Sequence, residues 1–186
     1  MQTKLKLPPH LRLKIAVLIA IIGTGTVSAM KSGGTTTALR FQVIGNNCIV
    51  DNSTGLTWAK NANFIGRKVW RKNDSEPYDY PAANAVEDMN KNPEALGYNL
   101  CGYKDWRLPT LGELDEMIHS VEQNGLLVSQ LERLGFKVNS GYYWTATFDE
   151  DGYAWSIFMS LGEEYSVPMS QSLWVWPVRG KVTSSH

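Results

Sequence analysis

The chain has 186 residues, of which 18 are basic and 18 acidic, so its formal net charge at pH 7 is zero. Four of the basic residues lie in the first 29 positions, and the rest of the chain carries 14 basic against 18 acidic residues, a net charge of −4. This charge argues against a general nucleic-acid binder, whose surface would be basic, and gives no overall attraction to anionic membranes.

Residues 1–29 have the pattern of an export signal. A basic N-terminal region precedes the apolar residues 15–22, and Val27-Ser28-Ala29 provide small side chains for cleavage after Ala29. The apolar run is shorter than the roughly 20 residues that a membrane-spanning helix needs. We therefore predict an exported protein, periplasmic, on the cell surface or secreted, that is not an integral membrane protein after cleavage. An uncleaved N-terminal anchor is the alternative.

One folded domain is predicted over residues 39–181. Cleavage after residue 29 of 186 leaves 157 residues, enough for a proper hydrophobic core. Residues 30–38, rich in Ser, Gly and Thr, are typical of a flexible lead-in, and residues 182–186 are predicted to be a tail. Within the domain, residues 41–43 are a candidate first strand and residues 45–47 predict a turn.

A hairpin is predicted next, with strands at residues 48–50 and 56–58 around the turn-forming residues 51–55. It contains Cys48, one of two cysteines, the other being Cys101. An even number of cysteines in an exported chain indicates a disulfide, and two buried thiols are the alternative. Few histidines remain after cleavage, so no zinc site is predicted around the cysteines.

Residues 64–80 are predicted to form a loop that contains a basic and aromatic cluster. The members of this cluster are Arg67, Lys68, Trp70, Arg71 and Lys72. Because cationic side chains suit sulfates, phosphates and carboxylates, the cluster is our candidate ligand-binding site for an anionic polysaccharide. Trp70 is the tryptophan that we expect to be exposed. A solvated loop without a ligand is the alternative.

Two helices are predicted in the middle of the chain. The first begins near Pro81, because proline suits the first turn of a helix, and its apolar residues recur with helical spacing. The second covers residues 111–123 and follows Thr110, which has the spacing of a capping box with Glu113. A shorter apolar-periodic piece covers residues 126–134.

Four strands are predicted after the helices, at residues 142–148, 153–159, 165–169 and 173–178, and Pro168 places the third at a sheet edge. Alternation predicts one shared face in each of the first two strands. The residues on these faces are Tyr142, Trp144, Ala146 and Phe148, and then Tyr153, Trp155, Ile157 and Met159. The element order predicts an α+β domain with two helices packed on one mainly antiparallel, twisted sheet.

Four segments resemble, in order, the motifs of one known family. They are residues 51–58 (DNSTGLTW), residues 102–110 (GYKDWRLPT) followed by Glu113-Leu114, residues 143–147 (YWTAT) and residues 175–180 (VWPVRG). On these motifs the chain resembles the Lcl C-terminal domain family over roughly residues 45–180. This is a bacterial domain of uncharacterised function, and Lcl itself is a collagen-like surface adhesin.

The resemblance implies a fold and a set of structural residues. The family is similar to the C-type-lectin-like fold, including its sulfatase-modifying branch, which implies a compact α+β domain whose N- and C-terminal strands lie close together. The tryptophans expected to pack in its core are Trp58, Trp106, Trp144 and Trp176. Arg107 and Arg179 are expected to form structural ion pairs. Their predicted partners are Asp105 and Glu113, and Pro109 ends the extended segment before the second helix.

The known chemistries of that fold are not predicted for this chain. Formylglycine-generating enzymes use a late cysteine pair, and no cysteine follows Cys101. Calcium-binding lectins use Glu-Pro-Asn or Gln-Pro-Asp with Trp-Asn-Asp, tripeptides that the sequence lacks, and the acidic residues 149–152 favour a hairpin turn. His119 has no evident nucleophile or acidic partner, and hydrolase and phosphate-binding motifs do not occur. No cofactor or metal is expected.

The predicted function is that of an exported, non-catalytic recognition module. Its expected partner is a glycan or a protein at the bacterial surface or in the periplasm, and the related adhesin makes a homo-oligomer, a trimer above all, worth testing. A structural or accessory role in a surface or periplasmic assembly is the alternative, followed by an enzyme of unknown reaction. Nucleic acid is not an expected partner.

Overall fold

The computed structural model describes residues 39–72, 76–121 and 126–182. The predicted export signal and lead-in lie outside this part of the chain, as do residues 183–186 of the predicted tail. The described residues form ten strands and three helices. In chain order they are β1 (Phe41–Ile44), β2 (Cys48–Asp51), β3 (Thr57–Ala59), β4 (Arg67–Val69), α1 (Pro81–Lys91), β5 (Trp106–Arg107), α2 (Leu111–Val121), α3 (Leu127–Arg133), β6 (Tyr142–Phe148), β7 (Tyr153–Phe158), β8 (Glu163–Pro168), β9 (Ser172–Trp174) and β10 (Val178–Arg179).

The first sheet has the strand order β1-β2-β3-β10-β5, and all neighbours run antiparallel. The predicted hairpin is confirmed, with Ile49 of β2 opposite Trp58 of β3. Strand β10 lies between β3 and β5, and its Val178 is opposite Trp58 on one side and Arg107 on the other. The C-terminal strand β10 therefore lies in the same sheet as the N-terminal strands, next to β3, and three of the four family motifs meet in this sheet.

The second sheet has the strand order β4-β9-β6-β7-β8, mostly antiparallel, with β6 and β9 parallel. The α+β class is confirmed, but the prediction of a single sheet is wrong. Residues 173–178, predicted as one strand, divide between the sheets because β9 ends at Trp174 and β10 begins at Val178. The three residues between them are buried. An apolar run buried on all sides shows no alternation that would reveal the break.

Strand β4 shows that the prediction of a loop over residues 64–80 is wrong in part. Its three residues pair with β9, and Arg67 lies opposite Trp174. The strand contains two charged residues and one β-branched residue, so its own sequence has little preference for β structure. Its partner begins only at Ser172, and this long-range pairing determines the conformation.

The alternation predicted for β6 is also wrong in part. Tyr143, Trp144 and Thr145 are buried one after another, whereas Phe148 is exposed. The register with β7 shifts between Trp144 and Phe148, which interrupts the two-residue period. Two small side chains of β7 that the prediction placed on the other face are buried as well.

Three helices pack beside these sheets, rather than the two predicted. Helix α1 begins at Pro81, as expected, and contacts β4 and β5. Helix α2 begins at Leu111 and has the predicted capping box. The Glu113 carboxylate accepts a hydrogen bond from the Thr110 backbone N–H at 2.9 Å, and the Thr110 hydroxyl accepts one from the Glu113 backbone N–H at 3.2 Å. Helix α2 contacts β6 and β7, and α3 packs on α2.

The four motif tryptophans lie in the core, as predicted. Trp58, Trp144 and Trp176 have 0% of their surface exposed, and Trp106 has 3%. The rings of Trp58 and Trp176 are 5.2 Å apart. The indole N–H of Trp176 donates to the Ala59 carbonyl at 2.8 Å, which joins the segment between β9 and β10 to the end of β3.

The disulfide between Cys48 and Cys101 is confirmed, with the two Cα atoms 6.5 Å apart. It joins β2 to the short 3-10 helix Leu100–Gly102. Both Asn99 and Cys101 have positive φ angles, 52° and 55°, which are uncommon for residues other than glycine. The bridge therefore holds an irregular loop against the first sheet.

Removal of the bridge tests its contribution to stability. We expect the Cys48→Ala, Cys101→Ala double variant to lose about 2–4 kcal/mol of unfolding free energy, because its unfolded chain is less constrained. Urea unfolding of the variant and the wild type measures the difference, and a reducing agent should produce a similar loss in the wild type alone. Equal midpoints for oxidised and reduced wild type would contradict this role.

Asp51, at the end of β2, is a buried carboxylate with several hydrogen bonds. Arg40 donates to it from Nε at 3.1 Å and from Nη2 at 2.8 Å, and Ser53 donates from its backbone N–H and its hydroxyl. Burial raises the pKa of Asp51, but the hydrogen bonds from Arg40 and Ser53 outweigh burial. The pKa therefore lies below the ordinary value of 3.8.

This lowered pKa predicts a loss of stability in acid. Ionised Asp51 stabilises the folded state above its ordinary pKa of 3.8, and this contribution disappears as the pH falls through the lower pKa of the folded state. Urea unfolding at neutral pH and at about pH 3 should show a smaller acid-induced loss for Asp51→Asn than for the wild type. The same loss in both proteins would assign the effect to other carboxylates, such as Asp105, whose pKa is lowered by Arg179.

Candidate ligand-binding cleft

The structure does not bring the predicted basic cluster together. Arg67 and Lys68 are consecutive in β4 and so point to opposite faces. Arg67 lines a cleft with residues of β6 and β9, whereas Lys68 lies beside α1. The guanidinium carbon of Arg71 is 4.6 Å from the ring centroid of Tyr78, and Lys72 pairs with an acidic neighbour at 3.8 Å. These cations therefore do not form one anion-binding patch.

The prediction that Trp70 is exposed is wrong. Only 7% of its surface is exposed, and its indole N–H donates to the Thr145 carbonyl at 2.9 Å. Its ring centroid lies 5.5 Å from that of Tyr80 and 4.9 Å from that of Phe148. The charged residues around Trp70 in the sequence give no sign of this burial, because successive residues of an extended chain point to opposite faces.

The cleft lined by Arg67 is the best candidate for a ligand site. It has two adjoining compartments of about 320 and 380 Å³ on the second sheet. Arg67, Tyr142 and Leu173 line both compartments, and each strand of the sheet contributes to the walls. This size lies within the range of small-ligand pockets.

Aromatic side chains form much of the cleft wall. Tyr142 and Phe158 lie opposite each other in β6 and β7 and stack, with centroids 4.5 Å apart and planes 20° apart. Tyr165 of β8 meets Tyr142 edge-on at 5.5 Å. Trp174 also lines the cleft, next to Gly141, where an added Cβ would lie 3.1 Å from the indole nitrogen. A side chain at position 141 would therefore crowd this ring.

Arg67 is the one charged side chain among the described residues that line the cleft. Its Nε donates to the Ser172 carbonyl at 2.7 Å, and its Nη2 donates to the same oxygen. At the rim, the Tyr165 hydroxyl donates to Glu163 at 2.6 Å. This hydrogen bond raises the pKa of Tyr165, so its hydroxyl stays neutral.

The motif arginines form the predicted structural ion pairs, away from this cleft. Arg107 donates two hydrogen bonds of 2.7 Å to Glu113, whose side chain is fully buried. Arg179 donates to Asp105 at 2.7 and 2.9 Å, and lies over the Tyr103 ring at 3.9 Å. These pairs hold the segment that leads into α2.

The acidic residues 149–152 form the turn between β6 and β7, as predicted. The Asp149 carboxylate accepts backbone hydrogen bonds from Asp151 at 3.0 Å and Tyr153 at 2.9 Å. Within the described part of the chain, no three metal-binding side chains are grouped. His119 has an acidic partner, Asp115, which lies one helical turn earlier in α2. The His119 Nδ1 atom is 2.9 Å from the Asp115 carboxylate, and this pair was not predicted from the sequence.

The sequence predicts one residue of the cleft wall, Arg67, but not the aromatic surface of the cleft. It assigns Tyr142 to the same face as Trp144, but Tyr142 is half-buried in the cleft while Trp144 is fully buried. The hairpin of β7 and β8 is the feature of the sequence that could indicate the aromatic surface, since the correct strand register places Phe158 and Tyr165 near each other. That register becomes evident only once the strands are paired.

Together these features define a two-sheet α+β domain with an aromatic surface cleft. Residues 47–179 match the Lcl C-terminal domain. The chain therefore belongs to the Lcl C-terminal domain family. No match to a curated protein sequence was found. Among the helices of the described residues, none is long and apolar enough to cross a membrane.

The burial of Trp70 can be tested against its exposed neighbour Lys72. We expect Trp70→Ala to lower the free energy of unfolding by about 3–5 kcal/mol, because it leaves a large cavity. Lys72→Ala should change it by less than about 1 kcal/mol, since its ion pair is exposed. Thermal and urea unfolding measure both variants, and a Trp70→Ala variant as stable as Lys72→Ala would show that the ring is not in the core.

Proposed function

We propose that this protein is an exported, non-catalytic recognition module that binds a glycan at the bacterial surface or in the periplasm. The observation that carries the proposal is the cleft on the second sheet, whose wall contains aromatic side chains from several strands together with Arg67. The predicted export signal and the disulfide between Cys48 and Cys101 support an extracytoplasmic location. The pairing of the C-terminal strand β10 with β3 of the N-terminal hairpin favours a C-type-lectin-like architecture.

The cleft wall has the properties of a sugar site. Sugar rings have apolar C–H faces that pack on aromatic rings, and aromatic side chains provide large contact areas with little loss of entropy. Tyr142 and Trp174 both line one compartment. Arg67 can donate hydrogen bonds to the polar edge of the same sugar, which fixes its orientation.

Recognition in this cleft is proposed to be independent of calcium. Calcium binds through carboxylates and carbonyl groups arranged in a loop, and the described residues of the cleft wall include no carboxylate. The Arg67 guanidinium offers only hydrogen-bond donors, so it is suited to binding a ligand rather than to acting as a general base. The described wall therefore contains binding groups and no acid–base pair.

A second candidate function is a structural or accessory role in an assembly. A separate apolar cleft of about 570 Å³ lies between α1, the start of α2 and β6. Two residues of its wall are prominent at the surface, since Phe148 is 58% exposed and Val182 is 53% exposed. Exposed apolar surface of this kind is typical of protein–protein contacts.

A glycan array tests the leading proposal. The purified protein should bind a subset of glycans equally with calcium and with a chelator. Tyr142→Ala should weaken this binding at least about fivefold, because an interface anchor contributes more than about 1 kcal/mol. Tyr153→Ala is the matched control, since Tyr153 is an exposed tyrosine of β7 that does not line the cleft.

Three results would contradict this proposal in different ways. Calcium-dependent binding would place the site elsewhere, on acidic side chains. Binding that is unchanged in a folded Tyr142→Ala variant would exclude this cleft as the sugar site. No binding to any glycan would favour the assembly role and its apolar cleft.

A further inference from the structure

We infer that the glycan bound in the cleft carries a carboxylate, as in a uronic acid, and that Arg67 holds this carboxylate through two hydrogen bonds. The inference rests on the proposed function, because it assigns the ligand class of the same cleft. Its basis is the pair of hydrogen bonds that Arg67 makes to Ser172, together with the N–H donors of the guanidinium that these bonds leave unused.

A count of hydrogen-bond donors identifies the unused edge of Arg67. A guanidinium has five N–H donors. The bonds from Nε and Nη2 to Ser172 use two of them, which leaves three, one on Nη2 and two on Nη1. Because Nε and Nη2 share one edge of the planar group, the edge formed by Nη1 and Nη2 still has two parallel donors.

That edge has the spacing of a carboxylate. Two parallel N–H groups of arginine match the two oxygens of a planar carboxylate, which gives a short, bidentate, charge-assisted pair. The bonds to Ser172 hold the guanidinium in place, so less side-chain freedom is lost when the ligand binds. Among the ion pairs of the described residues, none includes Arg67.

The surroundings of Arg67 strengthen the attraction for an anion. Tyr142, Phe158, Leu173 and Trp174 line the cleft with apolar surface, and Arg67 is the one charged residue in its described wall. Arg67 itself is exposed, so the shielding that strengthens an ion pair would come from a ligand seated against these apolar side chains. A neutral sugar would leave this charge without a partner, whereas a uronic acid would neutralise it.

The same arrangement places the carboxylate close to the stacked sugar ring. Arg67 and Tyr142 line both compartments, so a sugar ring packed on Tyr142 occupies a compartment that Arg67 also lines. In a uronic acid the carboxylate is attached directly to the ring carbon, which keeps the charge within reach. The structure therefore favours a carboxylate on the sugar ring itself.

Paired oligosaccharides test the inference. The probes are short oligomers of galacturonic, glucuronic and mannuronic acid, each compared with its own methyl ester and with a sulfated neutral oligosaccharide. Calorimetric titration should show tighter binding of at least one acid than of its ester, by roughly tenfold or more. The ester keeps the ring and its stereochemistry, so the comparison isolates the charge without altering the protein.

Two variants locate the effect. Arg67→Lys keeps the positive charge but loses the two parallel donors, so it should remove most of the preference for the acid over its ester. Lys68→Gln is the matched control, because Lys68 is the next residue of β4 and lies on the other face. Lys68→Gln should leave the preference unchanged, and thermal melting confirms that both variants are folded.

The outcomes separate the inference from the function on which it rests. Equal binding of acids, esters and neutral glycans in the cleft would overturn the inference and leave the proposed function in place. A preference for sulfated over uronic oligosaccharides, or a preference for acids that survives Arg67→Lys, would also overturn it. No binding of any glycan would overturn both.

Discussion

Strand β10 is two residues long, yet the first sheet depends on it. Val178 and Arg179 pair with β3 on one side and with β5 on the other, so they join the N-terminal hairpin to the segment that leads into α2. The following residue approaches the hairpin closely, since a Cβ on Gly180 would lie 3.3 Å from the Gly55 carbonyl oxygen. With a φ of 115°, Gly180 also has a backbone conformation that other residues rarely adopt.

The chain just before β10 links this sheet to the cleft. Leu173 and Trp174 belong to β9 and line the cleft, and Trp176 then fills the core through its contacts with Trp58 and Ala59. The backbone N–H of Val175 donates to the Gly66 carbonyl at 3.3 Å, next to the start of β4. A single short stretch of chain therefore completes both sheets and forms part of the cleft wall.

The sequence predicts the features that depend on neighbouring residues and misses those that depend on distant ones. The capping box of Thr110 and Glu113, the helix start at Pro81 and the first hairpin all follow from local spacing, and the structure contains them. By contrast, β4 exists because of its pairing with β9, and the burial of Trp70 depends on contacts with Thr145 and Phe148. A pattern of charged residues around a tryptophan looks the same in a solvated loop and in an edge strand, so no local rule separates them. The aromatic cleft is missed for the same reason, because it is assembled from separate strands.

The late position of β9 and β10 has a consequence for how the domain is made. Until residue 174 is available, β4 lacks its partner β9, and until residue 179 is available, β3 and β5 have no strand between them. While the polypeptide is still being synthesised, its sheet edges are therefore open and its central tryptophans are uncovered. Such edges and apolar surfaces promote aggregation. The domain is thus expected to form its core in one late step, and a chain cut short before β10 should become a substrate for chaperones and proteases rather than a partly working protein.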